Sequence, residues 1–528
     1  MQKGLVNQKN NNDKRNLFIL LLLALSIRII LYPHLHLIAK DGAFQYIPVA
    51  KLYACGEFKK ALSQPQTPLY PFLIALVSKS GLNLESAGRL ISLIFNTLTI
   101  IPLYFLGKKL FKSSHISLLA GFLLAIHPYF VRFSVDVLKE APYIFFFVTA
   151  LWLSYEALSS EKLWLYLVAG IAIGFSYLTR ADGIEILIIV SLWILFQKIS
   201  ELRKTYKRRI GAFFLLSAFS FILVVPYLWH IRQTTGEWNL SKKIKLEVLI
   251  GPKSFVKEDK IREVSVIRKH TQGFLLLTSK SAKSFHPLLL IFLLFGLVKR
   301  KTIPYQKREE FFLASFLGIH LFVLYFMAAN YSVFREGHIV ASSFSSRHVL
   351  PLVVISFFWM SMGIWEVRER IYKWIVSKRD AVCSLNLSRR VLVVILAVIA
   401  LSILPKTLKP QEVDKLGGKI AGIWIKENSG KEAPIIMTNM PQVAYYAMGT
   451  PIRLPKTSCK KIAGPEKIVG SAKRKADYLV INCRDIEKWS PNLLKLCEKS
   501  NSLKMVFDYR EKRRDRVIVY SISVQDKF

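Results

Sequence analysis

Apolar residues in this chain come in long blocks separated by short polar connections. A hydrocarbon core about 30 Å thick is crossed by roughly 20 apolar residues wound as helix. Stretches of that kind lie near 17–38, 86–107, 115–131, 140–157, 162–179, 183–198, 210–229, 284–298, 310–329, 348–365 and 390–406, which predicts eleven spans. The stretch 68–80 is apolar but short and carries Pro68 and Pro71, so it is expected to lie against the bundle as an interfacial or re-entrant segment. Beyond about residue 407 the pattern changes. Val413, Leu416, Ile420 and Ile423 keep helical spacing over 411–428, up to Gly430, a suitable stop just past a helix end. Short β-rich runs follow at 433–437, 476–481, 504–507 and 516–520, with helical stretches between them. The expected architecture is a polytopic α-helical membrane protein with a small C-terminal α/β domain.

Composition agrees. The 528 residues are 52% hydrophobic with a mean hydropathy of +0.33, too apolar for an ordinary soluble chain of this length. A formal net charge of +40 would suit nucleic acid, but the Lys and Arg residues gather between the apolar blocks. That placement fits membrane topology and anionic headgroups, and no nucleic-acid partner is expected. The basic clusters before the first span and after the second, sixth, eighth and tenth fall on one side if eleven spans alternate, and that side should be cytoplasmic. The opposite short connections hold few cations, among them Arg132, Lys139, Arg180, Arg335 and Arg347. This divides the chain into a cytoplasmic N-terminus (1–16), a transmembrane domain (17–406) with outer loops near 39–85 and 230–283, and an extracytoplasmic α/β domain (407–528). The expected location is the cell's inner (plasma) membrane. The run from Leu17 has no small-residue cleavage site and reads as an uncleaved anchor. Five scattered cysteines form no CxxC pair, the tail has no GxGxxG or P-loop pattern, and no repeat has a fixed period.

Ionisable residues at membrane depth are costly unless they serve a function or find a partner. Asp41 lies where the chain leaves the first span, and Arg28 lies inside that span, about three helical turns earlier. Asp136 and Glu140 are four residues apart and would share a helix face if the fourth helix begins early enough.

Several short motifs occur in order. Asp41 is followed by Tyr46, then Gln66-Thr67-Pro68-Leu69-Tyr70-Pro71, then Ala87-Gly88-Arg89-Leu90-Ile91-Ser92. Glu140 opens the fourth span, and Tyr177-Leu178-Thr179-Arg180-Ala181-Asp182-Gly183 and Ser346-Arg347-His348-Val349-Leu350-Pro351 come later. Over about 17–405 this order resembles glycosyltransferase family 39, which includes protein O-mannosyltransferases and lipid A aminoarabinose transferases, and the tail resembles that of bacterial members. The resemblance implies a GT-C fold, a polyprenyl-phosphate-linked sugar donor, and inverting transfer to a lipid, glycan or protein acceptor on the outer face. Several members carry Asp-Glu in the first loop. Here Gly42 follows Asp41, so a second carboxylate is missing.

Inverting transfer to an acceptor needs one base, because the leaving phosphate departs without a proton. Asp41 is the expected base; its other reading is a helix N-cap ahead of Ala43. The leaving phosphate wants cations, and Arg suits it by bidentate binding. Arg347 is the first choice, against an interfacial snorkelling role. Arg180 is a second, against simple pairing with Asp182. Arg28 is a third, with structural pairing as its alternative. Glu140 is expected to bind acceptor or sugar hydroxyls, against a role as a helix-start acid favoured by the dipole. Tyr46 is a substrate-binding candidate within a set of aromatics (Tyr46, Tyr70, Tyr129, Tyr143, Tyr227, Trp229) that reads chiefly as a membrane belt. His127 reads as an interfacial residue. Two carboxylates without a spaced His make a thin metal site, so no required metal or other cofactor is expected. The competing functions are a transporter or flippase of lipid-linked sugars, and an oligosaccharyltransferase-like GT-C enzyme. Against the transporter, the chain shows no duplicated halves.

Overall fold

The computed structural model describes residues 2–160, 162–196, 206–242, 265–298, 307–335, 338–379, 385–409, 416–454, 470, 475–484, 492–510 and 516–522. The middle of the expected outer loop, 243–264, and the basic connections 197–205 and 299–306 lie outside them. The chain forms two compact units: Met1–Ile30 with Val49–Lys409, and Leu31–Pro48 with Pro410–Phe528.

Each of the eleven apolar stretches is chiefly helical over its described residues. Among the described residues, seven helices are long and apolar enough to cross a membrane, and two bent pairs raise the number to nine. The bends are 61° between Ser114–Ile126 and Pro128–Ser134, and 98° between Val266–Phe285 and Pro287–Val298. Each falls at a proline opening the second helix, where the missing amide and fixed φ favour a fresh start. The remaining two expected spans are the shorter helices Trp164–Thr179 and Ile184–Phe196. The segment read as interfacial is the helix Leu69–Ser78, with Tyr70 and Ile74 fully buried.

Ser346–Ser377 is the central helix of the first unit. Its apolar window is 89% buried, against 28% for Asn11–His34, Tyr206–Thr235 and Asn386–Leu408, which present Phe18, Ile222 and Leu401 outward. Its tightest neighbour is Pro287–Val298. Gly296 sits where a Cβ would strike the Trp359 carbonyl, and Gly363 where a Cβ would strike the Phe292 carbonyl. Reciprocal glycines of this kind let two helix backbones touch, which matters in lipid because apolar surfaces gain little from leaving it. The strands β1 (Ser332–Arg335) and β2 (His338–Ser342) form an antiparallel hairpin before the central helix.

The second unit holds a mixed five-stranded sheet of β3 (Ile435–Thr438), β4 (Thr450–Arg453), β5 (Tyr478–Asn482), β6 (Leu503–Arg510) and β7 (Arg516–Ile522). The order is β4-β3-β5-β7-β6, with β3 parallel to β4 and β5, and β7 antiparallel to β5 and β6. Alternate side chains build a core on each face. Met437, Leu479, Ile481, Ile518 and Tyr520 pack with Leu493 and Cys497. Ile436, Val480, Val517 and Val519 pack with Ala421, Ile425 and Val443. The four β-rich runs are strands. The strand β4 is one the sequence analysis does not predict, and its Pro451 is tolerated because β4 lies at the sheet edge. The tail helix runs over Leu416–Asn428 and Gly430 follows with φ +62°, while 411–415 lie outside the described residues.

Two outcomes are expected. Gly296→Ala or Gly363→Ala forces the central helices apart and lowers stability by about 1–3 kcal/mol. Thermal unfolding in detergent reads this, and an unchanged midpoint would mean the helices separate freely. In the second unit, burial pushes the Asp477 carboxyl up. The Ile435 amide (2.8 Å) and the Lys431 ammonium (2.5 Å) outweigh it and hold the group below the usual carboxylate range. A carboxyl depressed in the folded state stabilises above its unfolded pKa of about 3.9, and that contribution is lost as pH falls through the folded value. Asp477→Asn is therefore expected to cost about 1–2 kcal/mol at neutral pH, with the gap to wild type closing below about pH 4. Pulse proteolysis of the full chain across pH, following fragments of the second unit, measures it.

Candidate active site

The site in the first unit is built where three chain reversals meet. The helix Trp164–Thr179 ends because Arg180 turns extended, at φ −151° and ψ 135°. A single 3-10 turn, Ala181–Gly183, follows and carries Asp182. Arg180 Nη2 donates to Asp182 Oδ2 at 2.5 Å, and its guanidinium lies 4.9 Å from the Tyr143 ring centroid. Burial pushes the Asp182 carboxyl up, but the Arg180 cation outweighs this and holds it well below the usual carboxylate range. The pairing of Arg180 with Asp182 is thus a real contact. It does not exhaust the guanidinium.

Glu140 is the first residue of the helix Glu140–Leu158 and is 4% exposed. Its Oε1 lies 3.6 Å from Arg180 Nη1 and 3.7 Å from Arg347 Nη1, while its buried Oε2 has no hydrogen-bond partner among the described residues. Arg347 projects from the 3-10 turn Ser346–Val349 ahead of the central helix, with about a third of its side chain exposed. Glu140, Arg180 and Arg347, named separately from the sequence, are one cluster. Two guanidiniums converge on one carboxylate, with Asp182 as a second partner of Arg180, and the other Glu140 oxygen is left as an acceptor beside them. Such a set can bind an anion and a hydroxyl together.

Hydrogen bonds also gather the sequence motifs. Thr67 Oγ1 donates to the Thr179 carbonyl at 2.5 Å and is approached by Lys139 Nζ at 3.4 Å. The Tyr70 hydroxyl meets Gly88 O and Ser92 Oγ, and Ser92 reaches Leu138 O.

Two buried residues behind the cluster were missed in the sequence. Glu185 Oε2 lies 2.6 Å from His320 Nδ1, and His320 Nε2 meets the backbone carbonyl of His348 at 3.1 Å. A carbonyl only accepts, so Nε2 carries a hydrogen. This pair holds the turn from which Arg347 projects. The available signal was an acid in Gly183-Ile184-Glu185-Ile186-Leu187 and a histidine in Gly318-Ile319-His320-Leu321, each inside an apolar run.

Other expected residues lie elsewhere. Arg28 is fully buried, its guanidinium bonded to Asn96 Oδ1 (3.1 Å from Nε) and to the carbonyls of Ala24 and Ala125 (2.8 and 3.4 Å). Asp41 belongs to the second unit. The N-cap reading of it is corrected: it is already helical (φ −67°, ψ −36°), ahead of the π-turn Gly42–Tyr46, and makes no capping bond. It accepts instead from Gln45 Nε2 at 3.0 Å. Tyr46 is 2% exposed on that same turn. Asp136 precedes the helix that Glu140 opens, where it accepts from the Val137 amide at 2.7 Å, so the two acids share no helix face. Four of the six supposed belt aromatics (Tyr46, Tyr70, Tyr143, Tyr227) are buried, because ring volume fills gaps between chain segments. His127, read as interfacial, is buried against Phe130 and Phe357.

Asp182→Asn leaves the buried Arg180 with Glu140 alone as a charged partner. It is expected to destabilise the protein by about 3 kcal/mol, since breaking a buried pair strands its cation. Thermal unfolding in detergent checks this, with Asp182→Glu as the variant expected to retain more of the stability.

Residues 63–230 match the family model of dolichyl-phosphate-mannose-protein mannosyltransferases. No curated protein sequence matches the chain. Solved structures do match in fold. ArnT from Cupriavidus metallidurans bound to undecaprenyl phosphate aligns at TM-score 0.56 and 12% identity, over 96% of this chain and 98% of that one. The archaeal oligosaccharyltransferase AglB from Archaeoglobus fulgidus, with an inhibitory peptide and a dolichol-phosphate, aligns at TM-score 0.53 and 13% identity, over 98% of this chain and 75% of that one. A zinc and sulfate complex of an Archaeoglobus fulgidus oligosaccharyltransferase gives TM-score 0.54 and 14% identity, over 96% and 73%. The chain thus has the fold of these solved structures, its segment 63–230 is similar to the dolichyl-phosphate-mannose-protein mannosyltransferases, and several of its helices are long and apolar enough to cross a membrane.

Proposed function

We propose that this protein is an inverting glycosyltransferase. It moves a sugar from a polyprenyl-phosphate-linked donor to a lipid, glycan or protein acceptor on the outer face of the inner (plasma) membrane. The observation that carries the reading is the convergence of Arg180 and Arg347 on Glu140, whose second oxygen is unpartnered, in a chain of this fold. The polyprenyl phosphates named with two similarly folded proteins support the donor class.

In the proposed reaction an acceptor hydroxyl attacks the anomeric carbon from the face opposite the phosphate. The new C–O bond forms as the anomeric carbon–phosphate oxygen bond breaks, its electron pair leaving with the polyprenyl phosphate. The acceptor's proton passes to the Asp41 carboxylate. Arg347, the more exposed of the two guanidiniums, stabilises the charge on the departing phosphate, and Arg180 supports it from behind. Glu140 Oε2 accepts from a sugar hydroxyl, which orients the anomeric carbon. Arg28 is taken up by Asn96 and backbone carbonyls and is given no substrate role. Tyr46 is kept as a sugar-facing candidate through its place on the Asp41 turn.

The test uses the full chain in lipid nanodiscs with radiolabelled undecaprenyl-phosphate-linked hexoses and pentoses. Asp41→Asn is expected to bind undecaprenyl phosphate like wild type and to lose turnover by about 10²–10⁴-fold. Full turnover in that variant removes Asp41 as base. Failure of wild type to transfer any sugar of the panel removes the enzyme reading.

A further inference from the structure

We infer that the C-terminal domain positions the Asp41 segment, with the Tyr446 hydroxyl as its holding group. The inference rests on the proposed role of Asp41 and gives the C-terminal domain a function in the same reaction. Residues Leu31–Pro48 form one compact unit with Pro410–Phe528, although nearly the whole transmembrane domain separates them in sequence. The join is specific. The Ile38 amide donates to Tyr446 Oη at 3.0 Å, across 408 residues. Ile38 is fully buried, so an amide deprived of this partner would be costly to leave unmade. The π-turn Gly42–Tyr46 packs on the short helix Gln442–Tyr446 that supplies the hydroxyl.

The holder is itself rigidly seated. Gly422, on the helix Leu416–Asn428, lies so close to Gln442–Tyr446 that a Cβ there would meet Val443 O at 2.5 Å and Tyr446 Cβ at 2.8 Å. Lys419 Nζ stands 5.2 Å from the Tyr446 ring centroid. A path of packed elements therefore runs from the sheet through Leu416–Asn428 and Gln442–Tyr446 to Ile38, three residues before Asp41. The Asp41 segment needs such support. The chain reaches Asp41 through a 3-10 turn and irregular backbone at 35–39, and Asp41 lies in the first turn of the helical stretch 40–54. A general base works only when held close to its reactive geometry, and a displacement of about 1 Å can cost 10²-fold in rate.

The test compares Tyr446→Phe with wild type and with Tyr445→Phe, a neighbouring hydroxyl outside this bond, all as full chains in nanodiscs. Tyr446→Phe keeps the ring and its packing on Gly422. It is expected to speed hydrogen exchange at the 37–46 amides and to lower kcat about tenfold. Undecaprenyl phosphate binding should stay as in wild type, the loss of stability should not exceed the roughly 1–3 kcal/mol of one orphaned amide, and Tyr445→Phe should change neither exchange nor kcat. Unchanged exchange in Tyr446→Phe overturns the holding contact. Faster exchange with unchanged kcat overturns its part in the reaction. A fall in kcat matched by an equal loss of undecaprenyl phosphate binding also overturns it, because a positioning residue for the base leaves the donor phosphate alone. Full turnover in Asp41→Asn would instead overturn the base reading, and the exchange data would still report whether Tyr446 holds the segment.

Discussion

Charge buried inside an apolar bundle must be partnered, and this constraint organises the membrane unit. An unpartnered ion in such a place costs several kcal/mol, far more than any single packing contact returns. Arg28 is met by Asn96 and two carbonyls, Glu185 by His320, and Arg180 by Asp182 and Glu140. The pairings of Arg28 with Asn96, Glu185 with His320 and Arg180 with Glu140 join helices or turns distant in sequence, so satisfying the charges also sets which elements are neighbours. Apolar packing alone discriminates poorly between helix faces in lipid. The charges, together with reciprocal contacts such as Gly296 and Gly363, supply that discrimination.

The candidate site is one of the places, among the described residues, where pairing is incomplete. Two guanidiniums share one carboxylate oxygen while the other oxygen of Glu140 is buried with no hydrogen bond. Elsewhere in the bundle such an arrangement would be a defect. A ligand carrying both an anion and hydroxyls would complete it, which is why the cluster suits a phosphate-linked sugar. The pair Glu185 and His320 behind it binds the backbone of the Arg347 turn, so the turn that carries the cation is held through its main chain. A partly exposed guanidinium beside an open acceptor also separates this site from a simple structural ion pair.

The second unit follows a different logic. Its sheet is held by apolar side chains on both faces, an ordinary water-driven core. Its unexpected member is Leu31–Pro48, which joins it through Tyr446. A segment whose approach to Asp41 is irregular backbone at 35–39 borrows rigidity from a domain that has a core to lend. That arrangement gives a reason for the tail to be retained in a chain whose chemistry is proposed to lie with Asp41.

The residues by themselves determined the helical membrane architecture, the positions of all eleven apolar helices and four of the five strands in the tail sheet. Apolar block length and strand periodicity are local properties, written directly along the chain. The motif order also led to Glu140, Arg180 and Arg347. Only tertiary structure decided that these three share a carboxylate, that Asp136 stands apart, that Arg28 is satisfied by Asn96, and that Tyr46, Tyr70, Tyr143 and Tyr227 are buried. It alone joined Glu185 to His320 and Ile38 to Tyr446, and it showed Asp41 inside a helical turn where an N-cap was a sequence alternative. Burial and pairing are relations between distant residues. They depend on which faces meet, and no window along the chain records that.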